Sequence, residues 1–175
     1  GSTEAESMST HTLKKVTAQN YKNLSLMKGL KLSNLNLFIG PNGSGKSNLI
    51  GVLKFLRDSM ITSRDEVRGR TGFEDAVFEL GGAKILDGTV KTPANVKLAF
   101  NFEPTDEMTG YIFDLDILIQ DAHTPVVVSN ETLRPENSPE EADFYTRDEF
   151  GKETNLPTNE LILSVFSKLL EQNLK

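Results

Sequence analysis

The residues best equipped for chemistry form one short run, Gly40-Pro41-Asn42-Gly43-Ser44-Gly45-Lys46-Ser47, which fills the pattern G-x-x-x-x-G-K-[ST]. Gly40, Gly43 and Gly45 let the backbone turn tightly and approach a ligand closely. Successive N–H groups can then point inward as a nest for phosphate oxygens. A helix starting near Lys46 adds its unpaired amides and the positive end of its dipole, so the run reads as an anion site. In such a site Lys46 reaches the β- and γ-phosphates and the Ser47 hydroxyl is a magnesium ligand. Asn42 and Asn48 either touch phosphate or sugar, or cap and bond the local backbone.

The flanks supply what such a loop needs. Before it, Leu35-Asn36-Leu37-Phe38-Ile39 reads as a short buried strand. After it, Leu49, Val52, Leu53 and Leu56 recur at helical spacing, and the helix is expected to end around Asp58 or Met60. Further upstream, apolar residues at 13, 16, 18, 21, 24 and 26 approximate strand alternation with a break near Asn20, which predicts two short strands or one bent strand. Tyr21 is there either a packing residue or a platform for a nucleotide base.

Downstream, residues 63–72 are polar and charged, and read as a loop in which Arg64, Arg68 and Arg70 either contact phosphate or are solvated. Residues 73–80 mix their periods and suggest a helical turn followed by a strand, stopped by Gly81-Gly82. Alternation is clear in Val96, Leu98, Phe100 and Phe102, and again in Tyr111, Phe113, Leu115, Ile117 and Ile119. Val126-Val127-Val128 is a third candidate strand beyond the turn-like Gln120 to Pro125, so an antiparallel sheet with one wetter face is expected. Asp114 and Asp116 share that wetter face, either as a metal pair or as solvated carboxylates. His11 and His123 read as surface histidines. Residues 132–158 are rich in Pro, Glu, Asp and Asn and predict loops with short turns. Leu161, Ile162, Val165, Phe166, Leu169 and Leu170 then form a helical stripe over 160–174, with Thr158 or Asn159 as its cap.

Composition narrows the partners. A length of 175 residues suits one domain with a sizeable core, and residues 1–11 read as a flexible leader in which Gly1-Ser2 is a tag remnant. The formal charge of −6 argues against a strongly basic nucleic-acid surface on this chain, while leaving a patch on a larger assembly open. The sequence contains no cysteine, which excludes disulfides and thiol chemistry and fits a reducing compartment. No run is long and apolar enough to span a bilayer, so a cytoplasmic location is expected.

With these features in view, the chain resembles the N-terminal part of the ABC-type AAA ATPases grouped with SMC, RecF and OLD-like proteins, in particular the branch called AAA_21 or AAA_15. The resemblance rests on Asn20-Tyr21-Lys22-Asn23-Leu24 and on the run from Leu37 to Ile50, whose Gly-Pro-Asn-Gly-Ser-Gly-Lys-Ser-Asn is far narrower than the general phosphate-loop pattern. The stretch from Arg70-Thr71-Gly72-Phe73 to Gly81-Gly82 is a weaker match. It implies an α/β fold: the N-terminal lobe of a phosphate-loop ATPase head with a mixed or antiparallel β subdomain, spanning residues 12–175. It also implies that Asn42, Gly43, Ser44, Gly45, Lys46, Ser47 and Asn48 bind ATP, that Lys46 acts in catalysis, and that Ser47 with Gln120 holds Mg2+. ATP then sits between two heads, so the implied partners are a second head, a C-terminal lobe and, through the full assembly, nucleic acid. Glu131 in Ser129-Asn130-Glu131-Thr132-Leu133 resembles an E-x-L ending common after the family's hairpin, with no chemistry assigned to it.

Three family elements are missing from the sequence: an apolar strand ending in Asp-Glu, a Ser-Gly-Gly-type signature, and a switch histidine. The expectation is therefore half a catalytic head, with hydrolysis absent or very slow until it is completed, and a role in DNA maintenance or anti-phage defence. Two alternatives stand beside it: a nucleoside or small-molecule kinase, and a non-catalytic interaction module that holds nucleotide as a structural ligand.

Overall fold

The computed structural model describes residues 13–22, 30–31, 44–59, 72–104, 106, 109–137, 143–149 and 157–163, with the side-chain surroundings of 30–31 and 44–50 outside the description. The expected leader, the strand over 35–39, the loop Gly40 to Gly43 and the arginines at 64, 68 and 70 lie outside these residues. So does the expected C-terminal helix beyond Leu163.

The strands are β1 (Leu13–Gln19), β2 (Leu30–Lys31), β3 (Ala94–Phe102), β4 (Tyr111–Ile119), β5 (Val127–Pro135) and β6 (Tyr145–Thr146). They form one six-stranded sheet in the order β2-β1-β3-β4-β5-β6, and every pairing is antiparallel. Among the described residues the longer helices are α1 (Ser44–Ser59) and α2 (Gly72–Leu80), and a 3-10 turn follows at Gly82–Ile85.

Period-two alternation decides which face is dry. In β4, Phe113, Leu115, Ile117 and Ile119 are buried while Asp114 and Asp116 lie partly exposed on the other face. The same alternation buries Val96, Leu98 and Phe100 in β3 and Val16 and Ala18 in β1. Phe100 and Phe113 face each other across the ladder, with ring centroids 6.2 Å apart. Val52 and Phe55 of α1, and Phe73, Ala76 and Val77 of α2, join this apolar face in a single cluster. Phe55 and Phe73 meet edge to face at 6.1 Å, which locks the two helices together.

Two sequence expectations are corrected, and two local breaks are found where they were expected. Residues 73–80 are helical throughout, because Phe73, Ala76, Val77 and Leu80 already carry the i, i+3, i+4, i+7 spacing. The third strand continues well past Val128 to Pro135, and a two-residue strand, Tyr145–Thr146, pairs with it inside the span read as loop. Its alternation is hidden by a register shift opposite Asp116 and Ile117, where Asn130 and Val128 are partners and Ser129 is extra. Finally, the break at Asn20 is real: Asn20 and Lys22 adopt left-handed backbone angles (φ 62° and 43°) that end β1. The stop at Gly81-Gly82 is likewise conformational, with φ of 129° and 60°.

Since Phe113 is 1% exposed at the centre of the cluster, Phe113→Ala should lower unfolding free energy by about 3–5 kcal/mol. Urea denaturation would measure it, and a loss under about 1 kcal/mol would contradict the assigned core.

Candidate functional site

The glycine-rich run passes straight into a helix. α1 begins at Ser44, so Ser44, Gly45, Lys46 and Ser47 contribute the backbone of its first turn and Asn48 follows. Asn42 and Gly43 precede the described backbone, and the side chains of Ser44, Lys46, Ser47 and Asn48 are not described. That first turn carries no acidic residue, leaving the positive end of the helix dipole uncancelled by its own side chains. An amide-rich helix start of this kind can hold a phosphate group.

What fixes α1 is its buried side. Val52, Phe55 and Leu56 are nearly or fully buried, and Ser59 closes the helix by donating its hydroxyl to the Leu56 carbonyl at 3.0 Å. Tyr21 lies against the same helix and is 1% exposed, so it is a core residue and not an open platform for a base.

Gln120 is exposed immediately after β4, in a turn organised by Asp121. Asp121 Oδ1 accepts the backbone N–H groups of His123 and Thr124, and Oδ2 accepts the Thr124 hydroxyl. These bonds hold the Asp121 carboxyl below its usual pKa and account for the turn around the exposed His123 without chemistry.

The wetter sheet face carries the two aspartates as ion pairs. Arg134 Nε donates to Asp114 Oδ2 at 2.7 Å, and Lys97 Nζ lies 3.9 Å from Asp116 Oδ2. Desolvation raises the Asp116 pKa, partly offset by Lys97 and reinforced by Asp114. Both aspartates are thus ion-paired on a partly solvated face, and among the described residues no group of three or more His, Asp or Glu could hold a metal.

Sequence reasoning assigned Glu131 no role, yet it is the most heavily bonded buried charge. Its carboxylate is fully buried and accepts four donors: Tyr145 Oη at 2.8 Å, Arg147 Nη1 at 3.1 Å, Ile162 N at 2.9 Å and Leu163 N at 3.0 Å. Arg147 in turn donates to the carbonyls of Glu160 and Pro157, at 2.8 and 2.7 Å. β5, β6 and residues 157–163 are thus tied through one carboxylate, which accepts the amides of Ile162 and Leu163. Asn159, one of the expected caps, donates its side chain to Glu74 Oε1 at 2.7 Å and so reaches α2. A glutamate opposite Leu115 on the dry face was the available signal, but the register shift at Ser129 conceals which face it takes.

The fold and site together define a mixed α/β domain in which an antiparallel sheet is covered on one face by helices, one of which opens within a phosphate-loop sequence. Residues 35–169 match the AAA_21 family, described as "AAA domain, putative AbiEii toxin, Type IV TA system". The chain belongs to this family of ATPase domains. No curated protein and no solved structure matches it. Among the described residues no helix is long and apolar enough to cross a membrane.

Burial raises the Glu131 pKa from its usual 4.5, against the lowering effect of its hydrogen bonds and Arg147. The folded state therefore holds this proton more tightly than the unfolded chain. Stability from this group is complete below 4.5 and falls as pH rises through the window between 4.5 and the raised value. Glu131→Gln should remove that dependence and, by presenting an NH2 to donors, cost about 3 kcal/mol at neutral pH. Chemical denaturation from pH 4 to 8 tests both, and an unchanged pH profile in the variant would count against this assignment.

Proposed function

We propose that the chain is the ATP-binding lobe of an ABC- or SMC-like ATPase head. The observation that carries this reading is that α1 begins at Ser44, inside the sequence run Gly40 to Ser47, within a member of an ATPase family. In it the backbone of Asn42, Gly43, Ser44 and Gly45 cradles the phosphates, and Lys46 neutralises charge developing on the transferred group. Asn48 stands just inside the helix to contact phosphate or sugar.

Ser47 and Gln120 are hard oxygen donors of the kind Mg2+ takes, few enough to leave most coordination to water and phosphate. When bound, the ion neutralises phosphate charge. Ser47 stands in the first turn of α1, and Gln120 is exposed just after β4.

Hydrolysis to ADP and phosphate then requires a C-terminal lobe carrying the acidic strand, and a second head, a homodimeric partner, supplying the signature segment. The reading places the protein in the cytoplasm, where ATP is abundant; the cysteine-free sequence and the lack of a membrane-spanning helix among the described residues are consistent with it. The family's association with toxin and type IV toxin–antitoxin systems favours a role in defence over DNA maintenance. Any contact with nucleic acid is made by the assembly, since this chain carries a charge of −6.

Calorimetric titration with ATP and Mg2+ tests the reading. The wild-type chain should bind, and Lys46→Ala should weaken binding at least about tenfold through loss of a charge-assisted phosphate contact. Equal affinity in the two proteins would overturn the site.

A further inference from the structure

The segment that leads out of β1 has a shape its length does not require. Asn20 and Lys22 both take left-handed backbone angles, so the chain reverses curvature on each side of Tyr21. Asparagine tolerates this region well, and the Asn20 side chain adds a bond from Nδ2 to the Asn95 carbonyl at 3.0 Å. Tyr21 itself pairs with Leu86, Lys22 N donates to the Ile85 carbonyl at 2.7 Å, and Asp87 N donates to the Asn20 carbonyl at 2.9 Å. The tyrosine is clamped from both directions, and the Lys22 ammonium lies 5.6 Å from its ring centroid.

The clamped ring is directed at α1. A Cβ built on Gly51 would stand 3.6 Å from Tyr21 Oη and 3.2 Å from Leu80 Cδ1 of α2. At that point the end of β1, α1 and α2 converge, and a methyl group at Gly51 would press on the Leu80 side chain while meeting Tyr21 Oη at ordinary contact distance. The Tyr21 hydroxyl is buried with no hydrogen-bond partner among the described residues, and desolvation pushes its pKa up to about 12. A buried hydroxyl with no partner opposes folding, and a phenylalanine would avoid that cost. Its visible contribution is packing: the oxygen lies beside α1 at Gly51, where the helix meets the end of β1.

From this geometry we infer that Tyr21 and Gly51 form a positioning contact that fixes the seat of α1 and, through it, the phosphate-binding first turn. The inference rests on the nucleotide-binding reading above for its functional consequence, but the contact itself does not. Gly51 lies four residues, about 6 Å along the helix axis, from Ser47. A helix is stiff over that distance, so a shift at Gly51 is carried to the amides that face phosphate. Both residues are positioning residues, and neither touches the reacting atoms.

The two substitutions act in opposite directions. Tyr21→Phe removes the spacer and the unpartnered hydroxyl; the thermal midpoint should stay the same or rise while MgATP affinity falls several-fold. Gly51→Ala overpacks the contact and should weaken MgATP about tenfold, with Leu80→Ala restoring part of the loss by opening the 3.2 Å approach. Hydrogen exchange of the α1 amides without nucleotide supplies an independent reading, and both variants should exchange faster there than the wild type. Faster exchange together with a wild type that fails to bind MgATP would uphold the contact and sink the nucleotide reading. Unchanged exchange in both variants would overturn the contact. So would a Tyr21→Phe variant whose stability and affinity fall together, because that is the signature of ordinary core damage.

Discussion

The sheet has one face that must be kept from water, and the placement of nearly everything else follows from that. Phe100, Phe113, Leu115, Ile117 and Ile119 cannot be covered by the sheet itself, since alternation sends Lys97, Asp114 and Asp116 the other way. The helices provide the cover. Val52 and Phe55 bring α1 down onto this surface, and Phe73 and Val77 bring α2 beside it. Each side chain contributes on the order of 1.5–3 kcal/mol by leaving water, far more than an exposed ion pair such as Lys97 with Asp116. The N-terminal turn of α1 therefore has its location set by apolar contacts one to three turns away.

A second constraint acts at the far edge of the sheet. Residues 157–163 pack through Leu161, Ile162 and Leu163, and the polar backbone there needs partners. Glu131 and Arg147 supply them together. The carboxylate takes two amides, the guanidinium takes two carbonyls, and each neutralises the other's charge. A carboxylate buried alone would protonate or unfold its surroundings; with four donors it becomes the tie between β5, β6 and the last described turn. Tyr145 completes the set, and its hydroxyl is held protonated by burial and by the adjacent Glu131.

The two constraints differ in what they contribute to a site. Apolar burial fixes where α1 lies but tolerates small slides, since dispersion contacts are individually weak and non-directional. Hydrogen bonds to Glu131 are directional and fix one arrangement of the segments they join. At Tyr21 a third kind of constraint appears, in which backbone reversal at Asn20 and Lys22 and the missing side chain at Gly51 set a distance by contact alone.

Much of this was legible in sequence. The strand alternation of 96–102 and 111–119, the helix after the glycine-rich run with its end near residue 59, the break at Asn20 and the stop at Gly81-Gly82 all depend on neighbours along the chain. The phosphate-loop motif is likewise local, since its residue types and spacing lie within the single run Gly40 to Ser47. Tertiary structure decided what depends on residues far apart. The bulge at Ser129 turned Glu131 to the dry face, Arg147 and Tyr145 then met it from sixteen and fourteen residues on, and the span 132–158 acquired strand at 132–135 and 145–146. Tyr21 became a packing residue because the elements around it, among them α1 at Gly51 thirty residues later, close over its ring. Local periodicity carries no information about which distant group will complete a buried charge or fill a gap, since that is fixed only when the elements pack.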